Sequence, residues 1–414
     1  MRRPLQLREL YGAMRALTLV FVALGIAACG ERSEAQNDAE IRAAVDKLVP
    51  QVERALGLPF KEDPVVALRS KAQVRDYLVA KLETDLPPEL LEGMSAAYRL
   101  FGLLPDTLDL HGLLLSLYTE QVVGYYDPDS VALYVVESAD RSFLRMVLAH
   151  EMVHALQGQY LPVDSLIAPD RSNDARMAAQ AVLEGQATLA SLTILMPDRD
   201  FSAIPNFWET YRSSLKQQHA QMPVFSSAPA VIQEGIVFPY LEGANFVRWF
   251  GEWHPDTLPY GRFLPQSTEQ ILHPDRYREG DAPVDLVLTS GPEPLHSDVL
   301  GEFETQILLT ELLGSESMAR AGARDWGGDR YAVYDTSAGQ VLVWWSVWDD
   351  ATAAERFAIL LQRGWNERER DGRRSVIDRV QIDAWAGVML RDGPADWWGW
   401  DAPPTVAASS AAPN

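Results

Sequence analysis

Two histidines one helical turn apart constrain this chain more than any other feature. Residues 150–154 read His-Glu-Met-Val-His, and apolar residues flank them on both sides. Positions four apart share one face of an α-helix, so the imidazoles of His150 and His154 can reach a common point. A helix that is apolar nearly all round is buried, and buried polar side chains without partners are unfavourable. We therefore predict a buried helix whose histidines share a partner, most simply a metal ion.

The spacing and the residue types favour zinc, with one ion per chain. Zinc is bound by imidazole nitrogens and carboxylate oxygens, and HExxH on a helix supplies two such ligands. Glu151 lies beside them, where it can act as a general base toward a water molecule. Only 7 of the 414 residues are histidine, which makes a chance occurrence of the pattern rare. The alternative is a buried helix whose histidines are satisfied by hydrogen bonds alone.

A catalytic zinc site of this kind requires a third protein ligand, and Glu184 is the candidate. It belongs to a predicted helix over residues 173–196, on a stripe of small residues that includes Ala181 and Gly185. Small residues allow a second helix to approach closely, and a carboxylate among apolar residues needs a positive partner. The alternatives for this carboxylate are an ion pair with an arginine or exposure to solvent. The reserve ligands are Asp174 and Asp164.

With these residues identified, the chain resembles the gluzincin class of zinc metallopeptidases, in which HExxH is followed by a glutamate ligand on a later helix. More closely, it is similar to uncharacterised bacterial envelope proteins that carry a metallopeptidase-like domain. The segments that carry this second likeness are residues 124–128, 150–157, 238–243, 267–274 and 326–331. One position departs from the thermolysin-like pattern, because Thr188 stands where an aspartate orients a zinc-bound histidine. The support of that histidine must therefore differ or be weaker.

The resemblance implies further site residues. In gluzincins a tyrosine and a histidine stabilise the oxyanion that forms on the substrate, and Tyr240 and His273 are the candidates here. In zincin folds an edge strand lies over the zinc and pairs with an extended peptide substrate. A hairpin predicted over residues 124–136 would supply this strand, which makes Tyr125 and Tyr126 candidates for substrate binding. The alternative is a hairpin that only packs on the motif helix.

Local signals predict the elements that precede the motif. Ser70 and Gln73 have the spacing of a capping box, and Asp109 can cap a later helix. A helix that starts after Pro87 would close at Gly102. Pro50 is expected to kink or end the first helix of the mature chain.

The predicted fold class is α+β, with a mainly helical zincin-like catalytic domain and a small C-terminal α+β layer. Residues 201–282 are rich in aromatic residues but only weakly periodic, so they line a cleft or, more typically, form core. A β-β-α-β order follows, with a loop at the paired glycines 327–328. The predicted parts are a lipoprotein signal peptide (1–28), an acylated cysteine and flexible tether (29–38), the metallopeptidase domain (39–282), the α+β unit (283–400) and a disordered tail (401–414).

The first 29 residues indicate export and lipid attachment. Four arginines accompany an apolar run over residues 16–28, which is too short to span a bilayer comfortably. The run ends Ile-Ala-Ala-Cys, which resembles a bacterial lipobox, and Cys29 is the only cysteine of the chain. We predict a lipid-anchored protein of the bacterial cell envelope that faces the periplasm or the exterior. The alternatives are an ordinary cleaved signal and an uncleaved anchor.

Composition limits the partners. The net charge of −22 leaves no basic excess that could neutralise phosphates, so nucleic acid is not an expected partner. The predicted activity is zinc-dependent hydrolysis of a peptide or protein substrate. One alternative is an envelope binding or chaperone-like lipoprotein with a structural or vestigial zinc site. The other is an interaction protein that binds no metal and carries HExxH by coincidence.

Overall fold

A mainly helical part is followed along the chain by a C-terminal sheet, which confirms the predicted α+β class. The computed structural model describes residues 19–21, 34–127, 130–137, 141–199, 201, 204, 206–289, 291–368, 370–397 and 403–407. Cys29, the predicted lipidation site, lies outside the described residues. Among the helices that are described, none combines the length and the apolar character needed to cross a membrane.

The first elements build a four-stranded sheet with helices packed on it. In chain order they are β1 (Leu19–Phe21), α1 (Glu34–Leu56), β2 (Val65–Arg69), α2 (Lys71–Asp85), α3 (Pro88–Phe101), α4 (Leu110–Gln121), β3 (Val122–Asp127) and β4 (Ala132–Val136). The strand order is β1-β3-β4-β2, in which β3 and β4 form an antiparallel hairpin and β2 runs parallel to β4. The predicted hairpin before the motif helix is confirmed.

Helix ends follow the predicted capping signals. Ser70 and Gln73 form a reciprocal capping box at the start of α2, and the Asp109 side chain caps α4. α3 ends at Gly102, whose φ of 83° is the left-handed conformation that glycine adopts without strain. Pro50 does not end its helix, because it lies inside α1 and the helix continues beyond it, so of the two predicted effects only a kink remains.

The middle of the chain is helical and carries the motif. Its elements are α5 (Arg141–Tyr160), α6 (Val163–Leu166), α7 (Asn173–Leu195), α8 (Phe207–His219), α9 (Pro223–Ser227), α10 (Ala230–Trp253), a 3₁₀ helix (Gly261–Phe263), α11 (Thr268–Leu272) and α12 (Pro274–Glu279). α5 packs against both β3 and α7, and α7 packs in turn against α10. The motif helix therefore lies within the fold, as its apolar sequence predicts.

α7 and α10 cross with backbone against backbone. A Cβ atom at Gly185 of α7 would lie 2.1 Å from the carbonyl carbon of Gly243 on α10. A Cβ atom at Gly243 would lie 1.9 Å from the carbonyl oxygen of Ala181. Glycine alone lacks a Cβ, so these positions allow the helices to approach more closely than side chains permit. The prediction that small residues beside Glu184 admit a second helix is confirmed, and that helix is α10.

The C-terminal elements form a second sheet. They are β5 (Leu286–Val287), β6 (His296–Asp298), α13 (Gly301–Leu313), α14 (Glu316–Ala323), β7 (Trp326–Thr336), β8 (Gly339–Trp348), α15 (Ala351–Asn366), β9 (Arg373–Ile382), β10 (Trp385–Pro394) and β11 (Thr405–Val406). Five of the strands form an antiparallel sheet in the order β6-β7-β8-β10-β9. The predicted β-β-α-β order corresponds to β7, β8, α15 and β9, and the sheet contains two further strands, β6 and β10.

Two glycines predicted as a loop lie inside β7 instead. The register between β7 and β8 shifts at Gly327, which is an irregularity within the strand. A Cβ atom at Gly328 would lie 2.2 Å from the carbonyl oxygen of Val284. The absence of a side chain at Gly328 allows the segment that contains Val284 to approach β7 closely. Local sequence patterns do not distinguish this role of glycine from a turn.

Two segments predicted to be flexible or disordered contain regular secondary structure. α1 begins at Glu34, inside the segment 29–38 that was predicted as a flexible tether. In the segment 401–414, predicted to be disordered, Thr405 and Val406 pair with β5. The backbone of this part of the tail has hydrogen-bond partners, which composition alone does not reveal.

One apolar core spans the predicted boundary at residues 282 and 283. Phe101 of α3 contacts Tyr331 of β7 and Trp344 of β8 edge-on, with ring centroids 5.3 Å apart in each pair. The same cluster includes buried residues of α7, α10, α13 and α15. α7, which carries Glu184, and α10 therefore share a hydrophobic core with the C-terminal sheet.

Candidate metal centre

The motif residues lie on the buried face of α5. His150 and His154 are each 4 % exposed, and Glu151 is 1 % exposed. Met152 and Val153, between the histidines, are fully buried in the cluster that α5 forms with α1 and the hairpin. Polar side chains in such surroundings require partners of their own.

The predicted third ligand meets both histidines. Oε2 of Glu184, on α7, lies 3.1 Å from Nε2 of His150 and 3.4 Å from Nε2 of His154. Two ligand atoms of one tetrahedral zinc ion, at bond lengths of about 2.1 Å, lie about 3.3 Å apart. The three residues thus fit a common metal ion, and each offers an atom within 4.8 Å of the others. The reserve ligands, Asp174 and Asp164, do not belong to this group.

The charges of His150, His154 and Glu184 are compatible with a bound cation. Burial alone would raise the pKa of Glu184, but the two histidines beside it hold that pKa at about 2. Burial lowers the pKa of His150, whereas for His154 the effect of Glu184 outweighs burial and raises the pKa. A buried, ionised carboxylate needs positive charge close by. A divalent cation between the three side chains would supply that charge and would leave both imidazoles neutral, as metal ligands must be.

The two carboxylate oxygens of Glu151 differ in their hydrogen bonding. Its Oε2 accepts a hydrogen bond from the backbone N–H of Tyr126 at 2.8 Å. Its Oε1 is buried and has no hydrogen-bond partner among the described residues. Burial raises the pKa of Glu151 to about 8. A buried oxygen without a partner is uncommon, and here it belongs to the residue next to a ligand. This arrangement suits a carboxyl group that exchanges a proton with a small molecule.

The structure brings Tyr240 to the ligands but not His273. The ring of Tyr240, on α10, stacks 5.9 Å from that of His150, and its hydroxyl donates a hydrogen bond to Glu184. Burial and the carboxylates nearby raise the pKa of Tyr240 well above its usual value, so the phenol keeps its proton. Nε2 of His273 instead lies 2.9 Å from Oε1 of Glu302 on α13.

The role predicted for His273 stays a prediction, because its observed partner is Glu302. A group that stabilises an oxyanion must lie about 3 Å from the reacting oxygen. Among the described residues, no hydrogen bond or ring contact joins His273 to the three ligand residues. Its ring follows α11 and pairs with a buried carboxylate, which sequence spacing cannot reveal.

The two tyrosines predicted to bind substrate point to opposite faces of β3, as successive strand residues do. Tyr125 is 2 % exposed, and its ring stacks 4.4 Å from Tyr77 and packs 5.2 Å from Tyr134. Its side chain belongs to the core, so any contact of Tyr125 with a peptide would be made by its backbone, and its role in substrate binding stays a prediction. The ring of Tyr126 packs over Gly158 of α5, and its contact with the site is made by its backbone.

Gln157 contacts a ligand and was not predicted from the sequence. Its Oε1 lies 2.7 Å from Nδ1 of His154. Thr188, at the position of the thermolysin-like aspartate, is buried with no side-chain partner among the described residues. The signal that could have identified Gln157 is its place three residues after His154, on the same helix face.

The family model that matches this chain covers the C-terminal sheet and not the metal centre. Residues 291–392 match the family model DUF8575, a domain of unknown function. No curated protein matches the chain in sequence. A comparison of structures finds a distant match to the crystal structure of a protein described as a supposed hydrolase with a novel fold, from Chloroflexus aurantiacus. That likeness has a TM-score of 0.35 and 18 % identity, and covers 60 % of this chain and 91 % of the other. It is too weak to carry an argument about fold or activity.

Proposed function

We propose that this chain is a zinc-dependent peptidase in which His150, His154 and Glu184 hold the metal ion. The supporting observation is the convergence of three buried ligand atoms at the spacing of one tetrahedral ion. Two imidazoles and one carboxylate form a ligand set that catalytic zinc sites use, with a fourth position left for water or substrate. This ligand set and the resemblance to gluzincins point to the same chemistry.

In this proposal Glu151 is the general base. Bound zinc would make a water molecule more acidic and polarise the carbonyl group of the scissile bond. Oε1 of Glu151 takes the proton from the attacking water and then returns it to the leaving amine. The hydrogen bond from Tyr126 to Oε2 holds the carboxyl group in place during both transfers. Tyr240 is the candidate for stabilising the oxyanion, because its hydroxyl already lies at Glu184.

An extended peptide is the proposed substrate. Tyr126 donates its N–H to Glu151 rather than to β4, so the other edge of β3 runs beside the general base. The short strand β1 pairs with this edge in antiparallel register, with Leu19 opposite Tyr125 and Phe21 opposite Val122. A peptide that adds to β3 in the same way would pass its backbone over the ligands.

The proposed location is the bacterial cell envelope, with the chain held to the membrane by a lipid on Cys29. This part of the proposal depends on the basic, apolar leader and its lipobox-like end.

Substitution of Glu151 tests the proposed activity. Wild type and Glu151→Gln are purified, zinc is measured per chain, and hydrolysis of an unfolded protein substrate is followed. We expect about one zinc in both proteins and a loss of activity of at least about 100-fold in the variant, since the amide cannot accept the proton. Gln can still accept the Tyr126 hydrogen bond, so the fold should be preserved. Glu137→Gln, at an exposed position after β4, is the matched control.

Three outcomes would contradict the proposal in different ways. Wild-type protein that binds no zinc would contradict the metal centre. Zinc-loaded Glu151→Gln with wild-type activity would contradict the role of Glu151. Zinc-loaded wild type that hydrolyses no peptide would favour an envelope binding or chaperone-like lipoprotein with a structural zinc.

A further inference from the structure

We infer that Gln157 is a positioning residue, whose side-chain amide fixes the ring of His154 and ties it to the backbone beside Glu184. The inference rests on the proposed function, because the position of this ring matters only where it serves a metal ion. Gln157 is 4 % exposed, and its contacts reach both helices that carry ligands.

The orientation of the Gln157 amide follows from its partners. Its nitrogen lies 3.0 Å from the backbone carbonyl oxygen of Leu183, an atom that can only accept. The amide oxygen must therefore face Nδ1 of His154, at 2.7 Å. Because that oxygen is only an acceptor, Nδ1 of His154 must carry the proton. The neutral ring then has its lone pair on Nε2, the atom that faces Glu184.

Gln186 and Tyr260 also contact the side-chain amide of Gln157. The nitrogen of Gln157 also lies 2.8 Å from Oε1 of Gln186 and 3.1 Å from the hydroxyl oxygen of Tyr260. The Tyr260 hydroxyl in turn donates to Oε1 of Gln186 at 2.6 Å. Gln186 is buried on α7, so this network holds the amide against the helix of the third ligand.

One side chain thus positions two ligands at once. Leu183 immediately precedes Glu184, so the hydrogen bond to its carbonyl links the His154 ring to the backbone of the third ligand. The link is electrically neutral, unlike the carboxylate that commonly supports a zinc-bound histidine. The neutral amide leaves more of the positive charge of a bound ion in the site, which favours an acidic water.

The test compares three variants by two measurements, neither of which uses hydrolysis. Gln157→Leu removes all the hydrogen bonds of the side-chain amide. Gln157→Glu keeps an acceptor for Nδ1 of His154, and Gln159→Leu on the same helix is the matched control. Nitrogen-15 NMR of the metal-free proteins at high pH reports which ring nitrogen of His154 carries the proton. Competition with a chelator gives the zinc dissociation constant.

We expect the proton on Nδ1 in wild type, Gln157→Glu and Gln159→Leu, and its loss from Nδ1 in Gln157→Leu. Zinc binding of Gln157→Leu should be weaker by about 10- to 100-fold, with partial rescue in Gln157→Glu. Thermal unfolding of each metal-free protein checks the fold, and Gln157→Met, which is unbranched, replaces the leucine variant if that variant does not fold.

The inference is overturned if Gln157→Leu keeps both the proton on Nδ1 and the wild-type affinity for zinc. It is also overturned if Gln159→Leu weakens zinc binding as much as Gln157→Leu does, because the effect would then be a general loss of stability. Failure of the proposed function is a separate result. A wild-type protein that binds zinc without hydrolysing peptides would leave the positioning role of Gln157 intact.

Discussion

Glu304 is a buried carboxyl group whose two oxygens have different surroundings. Its Oε1 accepts hydrogen bonds from the hydroxyl of Tyr98 at 2.6 Å and from the side-chain amide of Asn173 at 2.8 Å. Its Oε2 is buried with no partner among the described residues. Burial raises the pKa of Glu304 from 4.5 to about 8, so the folded protein keeps a proton there at neutral pH.

This raised pKa predicts how Glu304→Gln changes stability with pH. Between pH 4.5 and pH 8 the unfolded chain releases the proton while the folded chain keeps it, so wild-type stability falls as pH rises. Glutamine keeps the acceptor oxygen and cannot ionise. We therefore expect the stability of the variant relative to wild type to rise across this range by an amount on the order of a few kcal/mol.

Urea unfolding at pH 5, 6, 7 and 8 measures this difference. Glu316→Gln, at an exposed position at the start of α14, should show no such trend and serves as the control. A difference between Glu304→Gln and wild type that stays constant with pH would contradict the raised pKa.

Among single residues, the sequence predicts those site residues whose roles follow from spacing along one helix. The interval between His150 and His154 fixes their common face, and a carboxylate among small residues points to Glu184. Gln157 follows the same spacing rule, but a buried glutamine has many structural roles and does not indicate one of them. The partner of His273 is Glu302, on a helix whose packing cannot be derived from either local sequence.

The crossing of α7 and α10 predicts that Gly243→Ala damages the metal centre. The added Cβ would lie 1.9 Å from the carbonyl oxygen of Ala181, so the helices must separate. We expect a loss of stability of about 3 kcal/mol or more, since backbone on both sides cannot yield as a side chain can. Zinc binding should weaken as well, because Glu184 lies on α7. Thermal unfolding and chelator competition measure the two effects.

Gly251 offers the matched control on the same helix. No atom lies within 4 Å of a Cβ placed there, so Gly251→Ala should leave zinc binding unchanged. Alanine has the higher helix propensity, and stability should rise by up to about 1 kcal/mol. Equal behaviour of the two alanine variants would contradict the close crossing.

At the level of helices and strands, the sequence predicts those elements whose ends carry capping residues or a terminal glycine. It does not predict elements that lack such signals. The capping box of Ser70 and Gln73 and the terminal Gly102 mark their helices within a few residues. α10 has Pro239 and several glycines in its interior. Both residue types disfavour a helix, so the local sequence does not predict one here. The packing of α10 on α7 outweighs these local preferences, and only the folded chain reveals that packing.

The shared core predicts that the whole chain unfolds as one unit. A chain that ends at residue 282 loses β7 and β8 and exposes Phe101, which they bury. We expect this truncated chain not to fold cooperatively and not to bind zinc with wild-type affinity, whereas the full chain shows one thermal transition. Circular dichroism and chelator competition test both statements. A truncated chain with a cooperative transition and a tight zinc site would show instead that residues 39–282 fold on their own.

Attachment to the membrane is predicted to depend on Cys29. A thiol is the acceptor of the lipid, so Cys29→Ser should remove the lipid and release the protein from the membrane fraction. Fractionation of cells, together with incorporation of a labelled fatty acid, measures both properties. A serine variant that stays in the membrane fraction would favour the uncleaved anchor.

Main-chain contact between α7 and α10 affects how such a protein can diversify. The distance between these helices is set by Gly185, Gly243 and the backbone of Ala181, and not by the size of any side chain. Residues around the ligands can therefore be exchanged for larger or smaller ones without displacing Glu184. In the proposed peptidase, the surface that would contact the substrate can therefore vary separately from the three ligand residues, so selectivity can change while the reaction stays the same.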